Sequence, residues 1–187
     1  MNVLEKFSLD RDSAVLLVID VQEKLCRAMD QDVLRQLTGN ISILLETAKE
    51  MNIPVLTTEQ YTRGLGETLP EIREKLPVAA SEKMSFSCCG DKACMKRLGD
   101  LQRKQVIVTG METHVCVLQT VLDLLSRGYH VHVVSDAVMS RSKKNWKLGL
   151  NMASAAGAVL TSTEAAMFQL LKVAGTEEFK KLSKLVR

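Results

Sequence analysis

The 187-residue chain predicts an α/β protein: a six-stranded parallel sheet covered by helices on both faces. Three observations carry that expectation. Short, continuously apolar runs recur along the chain, each run is followed by a stretch whose apolar residues fall at helical spacing, and polar or glycine residues stand where the runs end. Apolar runs without alternation belong to strands buried on both faces, which is what crossover helices above and below a parallel sheet produce.

The first run, Ala14 to Ile19, ends in Asp20. Between Asp32 and Met51, the residues Val33, Leu37, Ile41, Leu44, Ala48 and Met51 line one face of a helix. Ile53 to Thr57 makes a second strand, with Pro54 near its start, where a missing N–H is tolerated. Tyr61 to Pro70 reads as a Gly-containing loop, Glu71 to Leu76 as a short helix, and Val78 to Lys83 as a weaker third strand. A Ser/Cys/Gly loop and a helix from about Asp91 to Leu101 follow. Gln105 to Thr109 is the fourth strand, and Val115 to Arg127 the helix after it, stopped by Gly128. Tyr129 to Ser135 is the fifth strand, Lys144 to Ala156 a helix, and Ala158 to Leu160 a short sixth strand. Helices over Thr163 to Val173 and Thr176 to Leu185 complete the order. No linker, repeat or low-complexity segment divides it, so residues 1–187 read as a single domain.

Composition narrows the function classes. Hydrophobic residues at 46% leave ample material for a core, and no apolar run approaches the roughly 20 residues of a membrane helix. The net charge of +3 is dispersed and aromatic residues make up 4%, which argues against a nucleic-acid partner. Cysteines at 26, 88, 89, 94 and 116 are odd in number, and the N-terminus lacks a long apolar segment. A cytoplasmic protein with free thiols is the expectation.

Open parallel sheets bind ligands outside the carboxyl ends of their strands, where strand order reverses. Asp20, Lys83, Gly110 and Cys116 all stand at such ends or just beyond them. Cys116 lies in Val-Thr-Gly-Met-Glu-Thr-His-Val-Cys-Val, at a strand-to-helix junction where free backbone N–H groups lower a thiol pKa. A carboxylate directly after Leu-Leu-Val-Ile is costly to bury alone, so Asp20 implies a partner, and Lys83 offers the cation. Acid, cation and thiol together make a nucleophilic set. Gln22, Leu25, Gln60, Tyr61 and Phe86 follow the first three strands, and His114 precedes the thiol by two residues; these are the candidate substrate contacts. Asp136 reads as a structural hydrogen-bonding group at the end of the fifth strand. Cys88, Cys89 and Cys94 read as ordinary loop and helix thiols, since no second Cys-x-x-Cys and no nearby histidine accompanies them. The glycines at 64 and 66 do not open a helix after a strand, so no dinucleotide site is expected.

Four segments in register carry a family resemblance: Val-Ile-Asp-Val-Gln (18–22), Glu-Lys-Met-Ser-Phe-Ser (82–87), the segment 108–117 around Cys116, and Val-Ser-Asp-Ala (134–137). They resemble the isochorismatase-like cysteine hydrolases, a superfamily that includes nicotinamidases, N-carbamoylsarcosine amidases and isochorismatases. The resemblance implies a three-layer α/β/α, Rossmann-like fold of the isochorismatase type, with Cys116 as nucleophile, Asp20 as general base and acid, and Lys83 as the supporting cation. It also implies a cis peptide bond between Met111 and Glu112, and an oxyanion hole formed by the backbone N–H groups of Glu112 and Cys116. Glu59, Gln60, Tyr61 and Thr62 stand where nicotinamidases carry an Asp-x-His metal pattern, so neither a metal nor another cofactor is expected. Isochorismatases tend to lack the nucleophile cysteine, which points this chain toward a small amide, ureido or related acyl substrate cleaved through a thioester. The loop 59–66 resembles a poorly characterised subgroup, and relatives usually form homo-oligomers. The rival readings are a catalytically silent binding or interaction protein on the same fold, and a thiol redox protein using Cys88, Cys89 or Cys94.

Overall fold

The computed structural model describes residues 3–186. Six parallel strands form one sheet: β1 (Ala14–Ile19), β2 (Val55–Gln60), β3 (Ser81–Lys83), β4 (Gln105–Met111), β5 (His130–Met139) and β6 (Val159–Thr161). Their order is β3-β2-β1-β4-β5-β6. After reaching β3 at one edge, the chain crosses back to lay β4 on the other side of β1, so the carboxyl ends of β1 and β4 flank the reversal point.

The helices are α1 (Val3–Phe7), α2 (Glu23–Arg27), α3 (Gln31–Glu50), α4 (Thr62–Leu65), α5 (Pro70–Arg73), α6 (Lys92–Asp100), α7 (Leu118–Ser126), α8 (Lys143–Ala155), α9 (Thr163–Leu171) and α10 (Glu177–Leu182). A strand's period of two divides its side chains between the two faces. On β1, Ala14, Leu16 and Val18 join the core beneath α3, α9 and α10, while Val15, Leu17 and Ile19 join the one beneath α6, α7 and α8. The three-layer α/β/α expectation holds. Helix α3 begins where the Asp30 carboxylate accepts the N–H groups of Asp32 and Val33, and it buries Leu37, Ile41, Leu44 and Ala48. Val33, expected on that apolar face, is 45% exposed.

Several boundaries differ from the expectation, each for a local reason. Strand β2 continues through Gln60, because Thr58, Glu59 and Gln60 pair with Ser81, Glu82 and Lys83 of the edge strand. Val78, expected in β3, precedes that ladder and is half exposed. Strand β5 runs on to Met139: Val108 pairs with Val133 but Gly110 pairs with Val138, so β5 bulges between them. The bulge throws Asp136 outward, where its carboxylate accepts the N–H and hydroxyl of Thr163 at the start of α9. Helices α1 and α2, and α4 within the expected loop 61–70, are too short for a periodic signal. At Gly110, φ is 107° and a Cβ would collide with the Ile19 carbonyl, so only glycine lets β1 and β4 approach at the site.

Candidate active site

Asp20 follows β1 directly, with a φ of 52° that aspartate tolerates better than most residues, and its N–H donates to the Thr58 carbonyl at 3.1 Å. Lys83 ends β3 opposite Gln60, placing the cation two strands from β1 with β2 between. The Lys83 Nζ donates to Asp20 Oδ2 at 2.7 Å, and the Thr58 hydroxyl donates to Asp20 Oδ1 at 2.8 Å. Neither charged side chain is exposed. The ammonium also faces Gln60 Oε1 and the Phe86 carbonyl at 2.9 Å and the Ser85 carbonyl at 3.2 Å. Four acceptors around three N–H bonds leave this lysine no donor to offer elsewhere.

Cys116 lies in a π-helical turn, Thr113–Val117, between β4 and α7. Cys116 is 7% exposed, and its thiol lies close enough to Asp20 and Lys83 to feel both charges. Burial pushes this thiol up from its ordinary value and the Asp20 charge pushes further, while Lys83 opposes both. The expected lowering is therefore corrected: Cys116 sits inside a π turn rather than in the first turn of an α-helix, and the cation is already committed to Asp20. On Asp20, burial raises the carboxyl, and Lys83, Cys116 and Thr58 pull it down. The arrangement sets a buried thiol beside a buried carboxylate whose cation is already paired.

The Met111–Glu112 bond is cis. The Glu112 side chain, nearly enclosed, accepts the Arg141 backbone N–H at 2.9 Å and Arg141 Nε at 3.2 Å. Its carbonyl accepts the N–H groups of Val115 and Val117, closing the turn that carries Cys116. His114 is held by Ser140 Oγ at 3.0 Å on Nδ1 and by Asn145 at 3.2 Å on Nε2.

The candidate substrate contacts divide. Gln22 is corrected: it has no exposure, its amide donates to the Gln60 and Gly66 carbonyls, and its oxygen accepts the Gln60 N–H. It braces two loops. Gln60 is corrected likewise, because its oxygen takes Lys83 and its amide donates to the Met84 carbonyl. Leu25 packs against the core on the α3 side, and His114 spends both ring nitrogens on the loop and helix after β5. Tyr61 and Phe86 stay exposed, at 46% and 54%, beside the strand ends that carry Gln60 and Lys83. Thr58, Thr120 and Arg141 were not singled out. Two consecutive threonines directly after the apolar Val55 and Leu56 are the signal that could have found Thr58.

Among the described residues, no group of three or more His, Cys, Asp or Glu is arranged to hold a metal ion. A cavity of about 540 Å³ over the end of β5, lined by Val33, Met139, Arg141 and Trp146 among others, does not include Asp20, Lys83 or Cys116.

Comparison with known proteins gives the family. A family model described as the isochorismatase domain matches residues 14–165. The secreted isochorismatase effector Isc1 of Phytophthora sojae is 43% identical over 180 residues, covering 94% of this chain and 85% of that protein. Isochorismatase domain-containing protein 2 of Danio rerio is 37% identical, covering 95% and 89%. Of solved structures, the MAR1 ribonuclease of Caenorhabditis elegans aligns with a TM-score of 0.88 at 35% identity, over 96% of this chain and 92% of that one. YcaC of Pseudomonas aeruginosa, determined with hexane-2,5-diol and covalent acrylamide, aligns with a TM-score of 0.87 at 25% identity, over 95% and 91%. The chain belongs to the isochorismatase family and carries its hydrolase fold.

Proposed function

We propose that this protein is a cysteine hydrolase that cleaves a small amide, ureido or related acyl compound through a Cys116 thioester. The observation that carries the reading is the buried Lys83–Asp20 ion pair, 2.7 Å across, at the strand ends beside the buried Cys116 thiol. Asp20 takes the thiol proton as sulfur attacks the carbonyl carbon. The backbone N–H groups of Glu112 and Cys116 receive the oxyanion. The C–N bond breaks as Asp20 returns the proton to the leaving nitrogen, and Asp20 then activates a water molecule that releases the acid and restores the thiol. Lys83 stabilises the Asp20 carboxylate throughout and, having no spare donor, does not bind substrate.

Tyr61 and Phe86 supply apolar surface at the rim, which suits a small, uncharged substrate. No cofactor enters these steps. Five free thiols suit a reducing, cytoplasmic setting. Leu148 and Met152, exposed one turn apart on α8, support self-association into a homo-oligomer. The test is a screen of small amides and ureido compounds with Cys116→Ala as control, and with RNA included because one structural relative is named a ribonuclease. Turnover of an amide by the wild type and none by the variant is the expected result. Cleavage of RNA, or amide turnover that survives in Cys116→Ala, would overturn the reading.

A further inference from the structure

The cavity over the end of β5 takes no part in the mechanism and yet is built like a binding site. It encloses about 540 Å³, within the range of small-molecule pockets. Its apolar lining comes from Val33 and Leu37 of α3, Val138 and Met139 at the end of β5, and Trp146 of α8. Leu37 and Met139 are almost fully enclosed, whereas Val33, Arg141 and Lys143 stand open to solvent. The cavity therefore grades from an apolar interior to a charged mouth.

The charged residues that line it are two acids and two cations, and they are not equivalent. The Asp30 carboxylate accepts the N–H groups of Asp32 and Val33 at 3.0 and 3.1 Å, and the Asp136 carboxylate accepts the N–H and hydroxyl of Thr163 at 2.8 and 2.9 Å. Each acid is spent on the start of a helix, where free N–H groups offset its charge. The cations have no such partner. Of its guanidinium, Arg141 commits only Nε, to Glu112, which leaves the outer pair of nitrogens free. Lys143 makes no ion pair or hydrogen bond among the described residues.

We propose that this cavity binds a small organic carboxylate, with an apolar body inside against Met139 and Trp146 and a single negative charge at the mouth, held by Arg141 and Lys143. The planar fork of Arg141 matches the two oxygens of a carboxylate. One charge suits the site better than two, because Asp30 and Asp136 also line it and repel a dianion such as phosphate. Ser140 and Arg141, in the same lining, hold His114 at 3.0 Å and Glu112 at 3.2 Å, so the ligand touches residues that steady the turn carrying Cys116. The site stands whether or not Cys116 is the nucleophile.

Trp146 is the chain's one tryptophan, so its emission and its indole N–H resonance report on this cavity alone. The test is a titration of the folded protein with hexanoate, both signals being followed, and with 1-hexanol and inorganic phosphate as controls. The expected result is a saturable change with hexanoate, binding of hexanol about tenfold or more weaker for want of the charged hydrogen bonds, and no change with phosphate. Lys143→Glu should weaken hexanoate by a similar factor, and an acid in the first turn of α8 suits the helix dipole, so that variant keeps its fold. Val33→Phe, which fills the mouth from a position 45% exposed, should weaken hexanoate as well. No saturable change in the wild type, equal binding of hexanol, unchanged binding in Lys143→Glu, or displacement of hexanoate by phosphate would overturn the proposal. So would an indole signal that shifts on protein dilution instead, with sedimentation showing a dimer, because a second copy would then be the occupant.

Discussion

The Lys83 ammonium lies 2.7 Å from the Asp20 carboxylate with neither side chain exposed, so each charge depends on the other to remain buried. Lys83→Met leaves a carboxylate enclosed without its cation, and is expected to destabilise the fold by about 3 to 5 kcal/mol. Adding Asp20→Asn to that variant removes the stranded charge and restores part of the loss. Urea denaturation of the two single variants and the double variant measures the coupling; equal and additive losses would mean that the pair is not energetically linked.

Thr58 is the second anchor of the same carboxylate. Thr58→Val keeps the shape and removes the donor, and is expected to cost about 1.5 to 3 kcal/mol, the range for a hydrogen bond to a charged group. Thr58→Ser keeps the hydroxyl and should recover most of it. Denaturation midpoints that rank Val and Ser alike would remove Thr58 from the site.

Gly110 sets the approach of β1 to β4, and its φ of 107° leaves no room for a side chain against Ile19. Gly110→Ala is expected to cost more than about 3 kcal/mol and to loosen the crevice. Hydrogen exchange should show faster exchange at β1 and β4 together; an unchanged pattern would contradict the close approach.

His132, buried in β5, gives an acid limb to stability. Burial depresses its imidazole from the ordinary value of 6.5 to about 4. The unfolded chain therefore takes up the proton first. The contribution is complete above about pH 6.5 and is lost as pH falls toward 4, by up to about 1.4 kcal/mol per pH unit. His132→Leu should flatten this part of the stability profile. Parallel profiles for wild type and variant between pH 4 and 6.5 would show that His132 is not held neutral.

The layer architecture was legible because β1 and most of β4 are continuously apolar, and the crevice because Asp20 follows β1 and Lys83 ends β3. What the chain hid is tertiary. Gln22 and Gln60 look like substrate ligands in sequence, and only folding shows their amides spent on loop backbone and on Lys83. The acidity of Cys116 was misjudged for a related reason: Lys83 is nearby, but its protons already have acceptors, and burial then dominates the thiol. The bulge in β5 depends on pairing with Gly110, which strand periodicity cannot reveal.

The account rests on Asp20 holding the proton relation with Cys116, and the pH dependence of Cys116 alkylation reads that relation without any substrate. Iodoacetamide rates at Cys116, followed by peptide mass in wild type and Asp20→Asn, measure it, with circular dichroism confirming that both are folded. Removing the Asp20 charge takes away one of the forces that raise the thiol, so the variant should titrate at lower pH than the wild type while losing amide turnover. A thiol that becomes more acidic in an inactive enzyme is the signature of a lost base. Superimposable alkylation profiles would contradict the account, because Cys116 would then be indifferent to the carboxylate proposed to take its proton.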